Sequence, residues 1–131
     1  MVALGLACQD GWVHELGLLH GVVQAVERTV SARQASAVRA VGLRVGSLSG
    51  ASPEALVGAW PLATAGSIVD GADLDIEAIT AAVWCPTCAA EQEIDEFFAW
   101  TCPVCGTATG QLVRGREFEV VYADLETPDS R

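Results

Sequence analysis

Cys85-Pro86-Thr87-Cys88 and Cys102-Pro103-Val104-Cys105 are two tight cysteine pairs separated by thirteen residues. That spacing lets both pairs close on one tetrahedral cation. Zn²⁺ accepts four thiolates, leaves no coordination position open and has no redox chemistry of its own, so Cys85, Cys88, Cys102 and Cys105 read as the ligands of a structural zinc. Gly106 follows the second pair, where a sharp turn often needs positive φ; Ala89 holds the matching place after the first. On spacing alone, other readings stay open: a single iron for electron transfer, a dithiol redox couple, or buried cysteines without metal. The fifth cysteine, Cys8, has no partner in this arrangement.

A chain of 131 residues makes one domain, or one domain with a small metal-held appendage. Half of the residues are hydrophobic, enough for a core. Seven Lys plus Arg stand against seventeen Asp plus Glu, a formal charge of −10. That balance argues against a nucleic-acid zinc ribbon, which needs clustered cations for phosphates. No apolar run nears the roughly 20 residues that cross a bilayer. The apolar start, Met1 to Cys8, lacks Lys or Arg and is too short for a signal segment. The expectation is a soluble, cytoplasmic protein without nucleic-acid or membrane partners, in a compartment that keeps metal-bound thiols reduced.

Outward from the cysteines, the hydrophobic period marks the other elements. Leu16, Leu19, Val23, Val26 and Val30 are three and four apart, which predicts an amphipathic helix of about five turns beginning after the first dozen residues. Gly17 and Gly21 weaken it and leave room for another backbone to pack there. Val41, Leu43 and Val45 alternate with Gly42, Arg44 and Gly46 as a strand. Ser52-Pro53-Glu54 opens a second helix with a cap, a first-turn proline and a first-turn acid. Leu56, Ala59, Trp60 and Ala63 form its buried stripe, Gly66 ends it, and Pro61 is expected to kink it or end it early. Asp73-Leu74-Asp75-Ile76-Glu77 alternates as a second strand. Phe118, Val120 and Tyr122 alternate with Glu119, Val121 and Ala123 as a third. The predicted architecture is α/β (α+β): two helices packed on a three-stranded mixed sheet, with a four-cysteine zinc ribbon inserted between the second and third strands.

Within this frame, His14-Glu15-Leu16-Gly17-Leu18 resembles the start of the HypA/HybF family of hydrogenase nickel-incorporation proteins, which typically begin Met-His-Glu. The resemblance continues through Val41 to Ser49, Pro53-Glu54-Ala55-Leu56, Gly71 to Ile76, both cysteine pairs, and Gly115-Arg116-Glu117-Phe118. It spans nearly everything from Val13 to Glu126. It implies a structural zinc on the four cysteines and a separate nickel site at the N-terminus. There an N-terminal amine, the His14 imidazole and backbone nitrogens offer Ni²⁺ a planar nitrogen set. Val13 contributes its backbone and Glu15 a supporting group beside the site. Residues 13–79 and 115–126 are then a nickel-binding domain, residues 80–114 a zinc-binding domain, residues 1–12 an N-terminal extension and residues 127–131 a tail.

Here the His-Glu pair starts at position 14, while family members carry it directly after the initiator Met. The expectation is that Val13 marks the native start, because a GTG codon can initiate with Met. The implied function is a metallochaperone, not an enzyme, in line with the lack of any recognisable nucleophile-and-base motif or phosphate loop. It would pass Ni²⁺, a transient cargo, to the large subunit of a [NiFe]-hydrogenase together with a GTP-hydrolysing nickel accessory protein, as a monomer or weak homodimer. The alternatives are an electron carrier with one iron on four cysteines, or a zinc-ribbon interaction module. His20, about 240° round the helix from His14, is expected to be a solvent-edge or packing histidine and not a ligand. The acidic run Glu91, Glu93, Asp95 and Glu96 beside Ile94, Phe97, Phe98 and Trp100 reads as a solvated loop over its own small core, with a docking surface for a partner as the alternative.

Overall fold

A computed structural model describes residues 3–94 and 100–128, with side chains from His14 onward. Cys8, Asp95, Glu96, Phe97 and Phe98 therefore lie outside the residues whose side chains are described. The first helix, α1, spans Ala3–Arg33. It begins well before the expected position: no proline lies between Ala3 and Val13, and the helix runs through Asp10-Gly11 instead of starting there, as a helix propagates readily once nucleated. Leu19, Val22, Val23, Val26 and Val30 are buried on it, and Leu16 is half-buried against them. Its end is a Schellman turn: Gln34 takes a φ of 54°, Ala35 N–H donates to Val30 O (3.0 Å) and Gln34 N–H to Ser31 O (3.3 Å).

Strand β1 (Ala37–Gly46) follows and forms the middle of a three-stranded sheet. It pairs in parallel with β2 (Asp73–Ile79), from Ala40 opposite Asp73 to Gly46 opposite Ile79, and antiparallel with β6 (Phe118–Glu126). Parallel neighbours need a crossover, supplied by helix α2 (Pro53–Thr64). Ser52 caps α2, its Oγ accepting from Ala55 N–H at 3.3 Å. The helix runs on through Pro61 to Thr64 instead of ending at it. The carbonyl that proline leaves without a donor belongs to Val57, which is 56% exposed, so water can satisfy it. Trp60 Nε1–H donates to Ala72 O at 2.7 Å and ties α2 to the approach of β2.

Val41, Leu43 and Val45 of β1 bury against both helices. On β6 the alternation does not persist. Gly42 faces Tyr122 but Leu43 faces Val120, so Val121 is an extra residue in a β-bulge. The bulge shifts the phase by one. Phe118 before it, and Ala123 and Leu125 after it, pack on the core. Tyr122, expected on the same face as Phe118, instead lies over Gly42 on the outer face and donates its hydroxyl to Asp75. Arg44 sits on that face between Glu77 (3.3 Å) and Glu119 (3.0 Å).

Between β2 and β6 the chain makes a second sheet of β3 (Ala82–Cys85), β4 (Ala90–Glu93) and β5 (Leu112–Arg114), ordered β4-β3-β5 and wholly antiparallel. Its small core is Ala81, Val83 and Ile94, closed by Trp100, Leu112 and, from the loop after β1, Leu48. Arg116 stacks on Trp100, with its guanidinium carbon 5.3 Å from the ring centre. Glu91 pairs with Arg114 at 2.7 Å.

The ribbon is joined to the main sheet by backbone contact. Gly46 N–H donates to Glu117 O and Leu48 N–H to Gly115 O, both at 2.7 Å, while Ser47 N–H donates to Ile79 O at 2.9 Å. A side chain on Gly46 would overlap the Gly115 carbonyl, and one on Gly115, at φ 133°, would come 2.6 Å from Ala81 Cβ. No helix among the described residues is long and apolar enough to cross a membrane. Gly46→Ala should cost about 1–3 kcal/mol in urea unfolding, because backbone must move to admit the methyl group. Gly58→Ala, inside exposed α2 with open space around it, should instead add about 0.5–1 kcal/mol.

Candidate metal centre

Each cysteine pair sits on a turn whose backbone is bent by its own hydrogen bonds. Cys85 ends β3, and Cys88 N–H donates to Cys85 Sγ at 3.4 Å; Ala89 then takes a φ of 53°. Alanine thus adopts the left-handed conformation that glycine would hold more easily. In the second turn Val104 N–H donates to Cys102 Sγ at 3.4 Å, Gly106 N–H donates to Cys102 O at 2.9 Å, and Gly106 has a φ of 80°. N–H groups aimed at sulfur favour the thiolate, the form that binds metal.

The four sulfurs lie within 4.8 Å of one another. Cys85 and Cys105 Sγ are 3.5 Å apart, and Cys88 and Cys102 Sγ 3.9 Å apart. A tetrahedron with metal–sulfur bonds of about 2.3 Å has edges of about 3.8 Å, so the donor set fits one Zn²⁺-sized ion. None of the four is in a disulfide. All four sequence-predicted cysteines therefore meet, two of them buried and Cys105 exposed.

Four thiols this close do not ionise alike without a cation between them. The Cys105 thiol is lowered to about 6 by the Thr107 hydroxyl and then the Thr107 backbone. Cys88 is pushed up to about 12 by its hydrogen bond to Cys105 and by burial. Thr107 is thus part of the site: its Oγ1 is 3.1 Å from Cys105 Sγ and 3.0 Å from Thr87 Oγ1, and this hydroxyl contact links the two turns. Neither threonine stands out in the sequence as a site residue. Their position, inside one pair and two residues past the other, was the available signal.

His14 and Glu15 are placed differently from each other. His14 is exposed on α1, and its Nε2 lies 3.8 Å from the point where a β-carbon on Gly50, in the loop after β1, would stand. Because α1 starts at Ala3, the amides of Val13, His14 and Glu15 are inside the helix, where they donate to carbonyls four residues back. Glu15 is 3% exposed. Its Oε2 accepts from Ser52 N–H at 2.8 Å, at the positive end of α2, and its Oε1 has no partner among the described residues. Nothing in the sequence links Glu15 with Ser52, 37 positions on. His20 is exposed, which leaves the solvent-edge reading of the two that the sequence allowed.

Two outcomes follow. Glu15→Ala should cost about 1–3 kcal/mol by leaving the Ser52 N–H unpaired, and Glu15→Gln, which keeps an acceptor oxygen, should cost less; thermal unfolding of both variants checks the difference. Stripping metal with a chelator should abolish amide-exchange protection in β3, β4 and β5 while β1, β2 and β6 keep theirs, because only the ribbon depends on the four sulfurs.

Comparison with known proteins agrees with this arrangement. The family model described as "Hydrogenase/urease nickel incorporation, metallochaperone, hypA" matches residues 13–125. Hydrogenase maturation factor HypA of Methylocella silvestris is 38% identical over 114 residues, covering 87% of this chain and all of that protein. Its counterpart in Dechloromonas aromatica is 39% identical over the same length and shares. The solution structure of the Ni metallochaperone HypA from Helicobacter pylori superposes with a TM-score of 0.60 over 86% of this chain and 97% of that one; at 18% identity it shows the fold. A helix pair on a mixed sheet, a four-cysteine insertion and this match over most of the chain have one meaning: the protein belongs to the HypA family of nickel-incorporation metallochaperones for hydrogenase maturation, a family of metal carriers and not of enzymes.

Proposed function

We propose that this protein binds Ni²⁺ at Val13-His14-Glu15 and delivers it, in the cytoplasm, to the large subunit of a [NiFe]-hydrogenase, while Cys85, Cys88, Cys102 and Cys105 hold a structural zinc. A GTP-hydrolysing nickel accessory protein is the partner in delivery. The observation that carries the reading is the extent of the match: it begins at Val13, and relatives such as those of Methylocella silvestris and Dechloromonas aromatica are covered along their full length by the matched part of this chain. Val13 is then the native start, decoded as Met from a GTG codon, and residues 1–12 are an upstream extension.

Starting the chain at residue 13 changes the chemistry of the site. The amine of residue 13 becomes a free donor. The amides of the next residues lose the upstream carbonyls to which the longer helix binds them. Amine, amides and the exposed His14 imidazole then supply nitrogen donors in a plane, which suits Ni²⁺. Glu15 supports the site by anchoring this turn of α1 to the start of α2, since one carboxylate oxygen is committed to Ser52 N–H. A surface site at a chain end also lets the metal leave again. In the ribbon, four thiolates with no open position suit a metal that stays.

The test is a Ni²⁺ titration of the chain beginning at residue 13, with metal analysis of the same sample. One zinc per chain is expected before nickel is added and one nickel after it. His14→Ala should weaken nickel binding by more than about tenfold without changing the zinc content. Equal nickel affinity in His14→Ala rejects His14 as a ligand. Iron–thiolate absorbance in the purified protein rejects zinc, and one zinc with no nickel uptake leaves an interaction module. Intact mass of the protein made from its own genomic locus gives the start site; retention of Met1 overturns the start at residue 13.

A further inference from the structure

The glycines of α1 face space that nothing in the described structure fills. Gly17 and Gly21, with Ala25 one turn further on, look toward β6, and neither glycine has an atom within 4 Å of where a β-carbon would stand. A cleft of about 340 Å³ runs between Gly17, Gly21 and Ala25 on the helix and Phe118 and Val120 on the strand. A second, of about 630 Å³, continues it along Thr29, Tyr122 and Leu125 and shares Ala25 and Val120 with the first.

This cleft borders the open edge of a sheet. In the order β2-β1-β6, strand β6 pairs with β1 on one side and with no described strand on the other. In an antiparallel pair, alternate residues turn their N–H and C=O groups to the free side, so β6 presents backbone donors and acceptors on both sides of the bulge at Val121. Val120, Val121 and Tyr122 are 37%, 41% and 44% exposed there. A helix about 10 Å wide covers two strands spaced about 4.8 Å apart. The larger apolar residues of α1 pack over β1 and β6, and its small residues overhang the place of a missing fourth strand.

We infer that the β6 edge and the Gly17-Gly21-Ala25 face of α1 form a docking site for an extended segment of a partner protein, which adds a fourth strand with apolar side chains under α1 and Lys or Arg on the opposite face. The backbone edge supplies hydrogen bonds, as in β-strand addition, and the glycines make room for the partner's side chains. Charge decides the other face. The outer side of β6 carries Glu119, Asp124 and Glu126, and the chain as a whole has a formal charge of −10. Arg39 pairs with Glu126 and also feels Asp124, and Arg44 pairs with Glu119 while sharing itself with Glu77, so two cations stand against three β6 carboxylates. A second copy of the chain would place the same carboxylates opposite one another, and like charges directly opposite are destabilising. A cationic strand complements them.

The experiment uses the full chain and a blocked nine-residue peptide of alternating valine and lysine, compared with a valine–glutamate peptide and a peptide of the same valines and lysines in two blocks. Amide exchange is followed residue by residue, with affinity measured at low and high salt. The expected result is slowed exchange at alternate amides of β6, binding that weakens with salt, and at least tenfold weaker binding to Gly21→Leu, whose side chain enters the cleft. That variant removes a helix-interior glycine from open space, so a melting temperature at or above the parent's is its check on folding. Equal binding of either control peptide, protection away from β6, or undiminished affinity in a folded Gly21→Leu overturns the proposal. So does a dimer of the chain alone, by sedimentation, that protects the β6 edge, since a second copy would then be the occupant.

Discussion

Backbone touches backbone where Gly46, Ala81 and Gly115 cross, and the relation of the two halves of the molecule depends on that crossing. Three segments far apart in sequence come together there: the end of β1, the way into the ribbon and the way out of it. A side chain on Gly46 or Gly115 would occupy space already held by backbone or by the Ala81 methyl group. With no side chains between them, the segments exchange hydrogen bonds directly, from Gly46 to Glu117 and from Leu48 to Gly115. The peptide groups are paired where they are buried, and the ribbon is held as a continuation of the main sheet's backbone network.

The loop that leaves this crossing reaches in two directions. Leu48 packs against the small core of Ala81, Val83 and Ile94 beneath the four cysteines. Four residues later, Ser52 offers its N–H to the buried carboxylate of Glu15 and its hydroxyl oxygen to the start of α2. One short loop therefore touches the four-cysteine ribbon, the second helix and the turn of α1 that carries His14. Glu15 is more informative for what it is denied than for what it binds. A carboxylate this buried, with one oxygen on the positive end of a helix, serves as an internal tie, whereas the imidazole of the neighbouring His14 is exposed.

Much of this was legible from residue patterns because the signals are local. Two Cys-Pro-x-Cys pairs specify a tetrahedral site through the reach of two short turns, and the four sulfurs do meet. Ser52, Pro53 and Glu54 announce a helix start through capping chemistry, and the helix starts there. Where the patterns misled, a nonlocal event intervened. Alternation placed Tyr122 with Phe118, but one extra residue at Val121 turned Tyr122 over Gly42 on the opposite face. Pro61 was expected to kink α2 or end it early, and the helix does not end there: the carbonyl left without a donor belongs to exposed Val57, where water can satisfy it.

By itself, then, the sequence determined which four cysteines come together in the ribbon, which faces of α1, α2 and β1 are apolar, and that the ribbon is inserted between two strands of one sheet. Those properties follow from bond geometry within a few residues and from the periods of helix and strand. Only the tertiary structure decided that Glu15 answers to Ser52, that Leu48 belongs to the ribbon's core, that Thr107 and Thr87 link the cysteine turns, and that Gly17 and Gly21 border the edge of β6 that no described strand covers. Each is a meeting of segments distant in the chain or a shift in strand register, and neither leaves a period for the sequence to display.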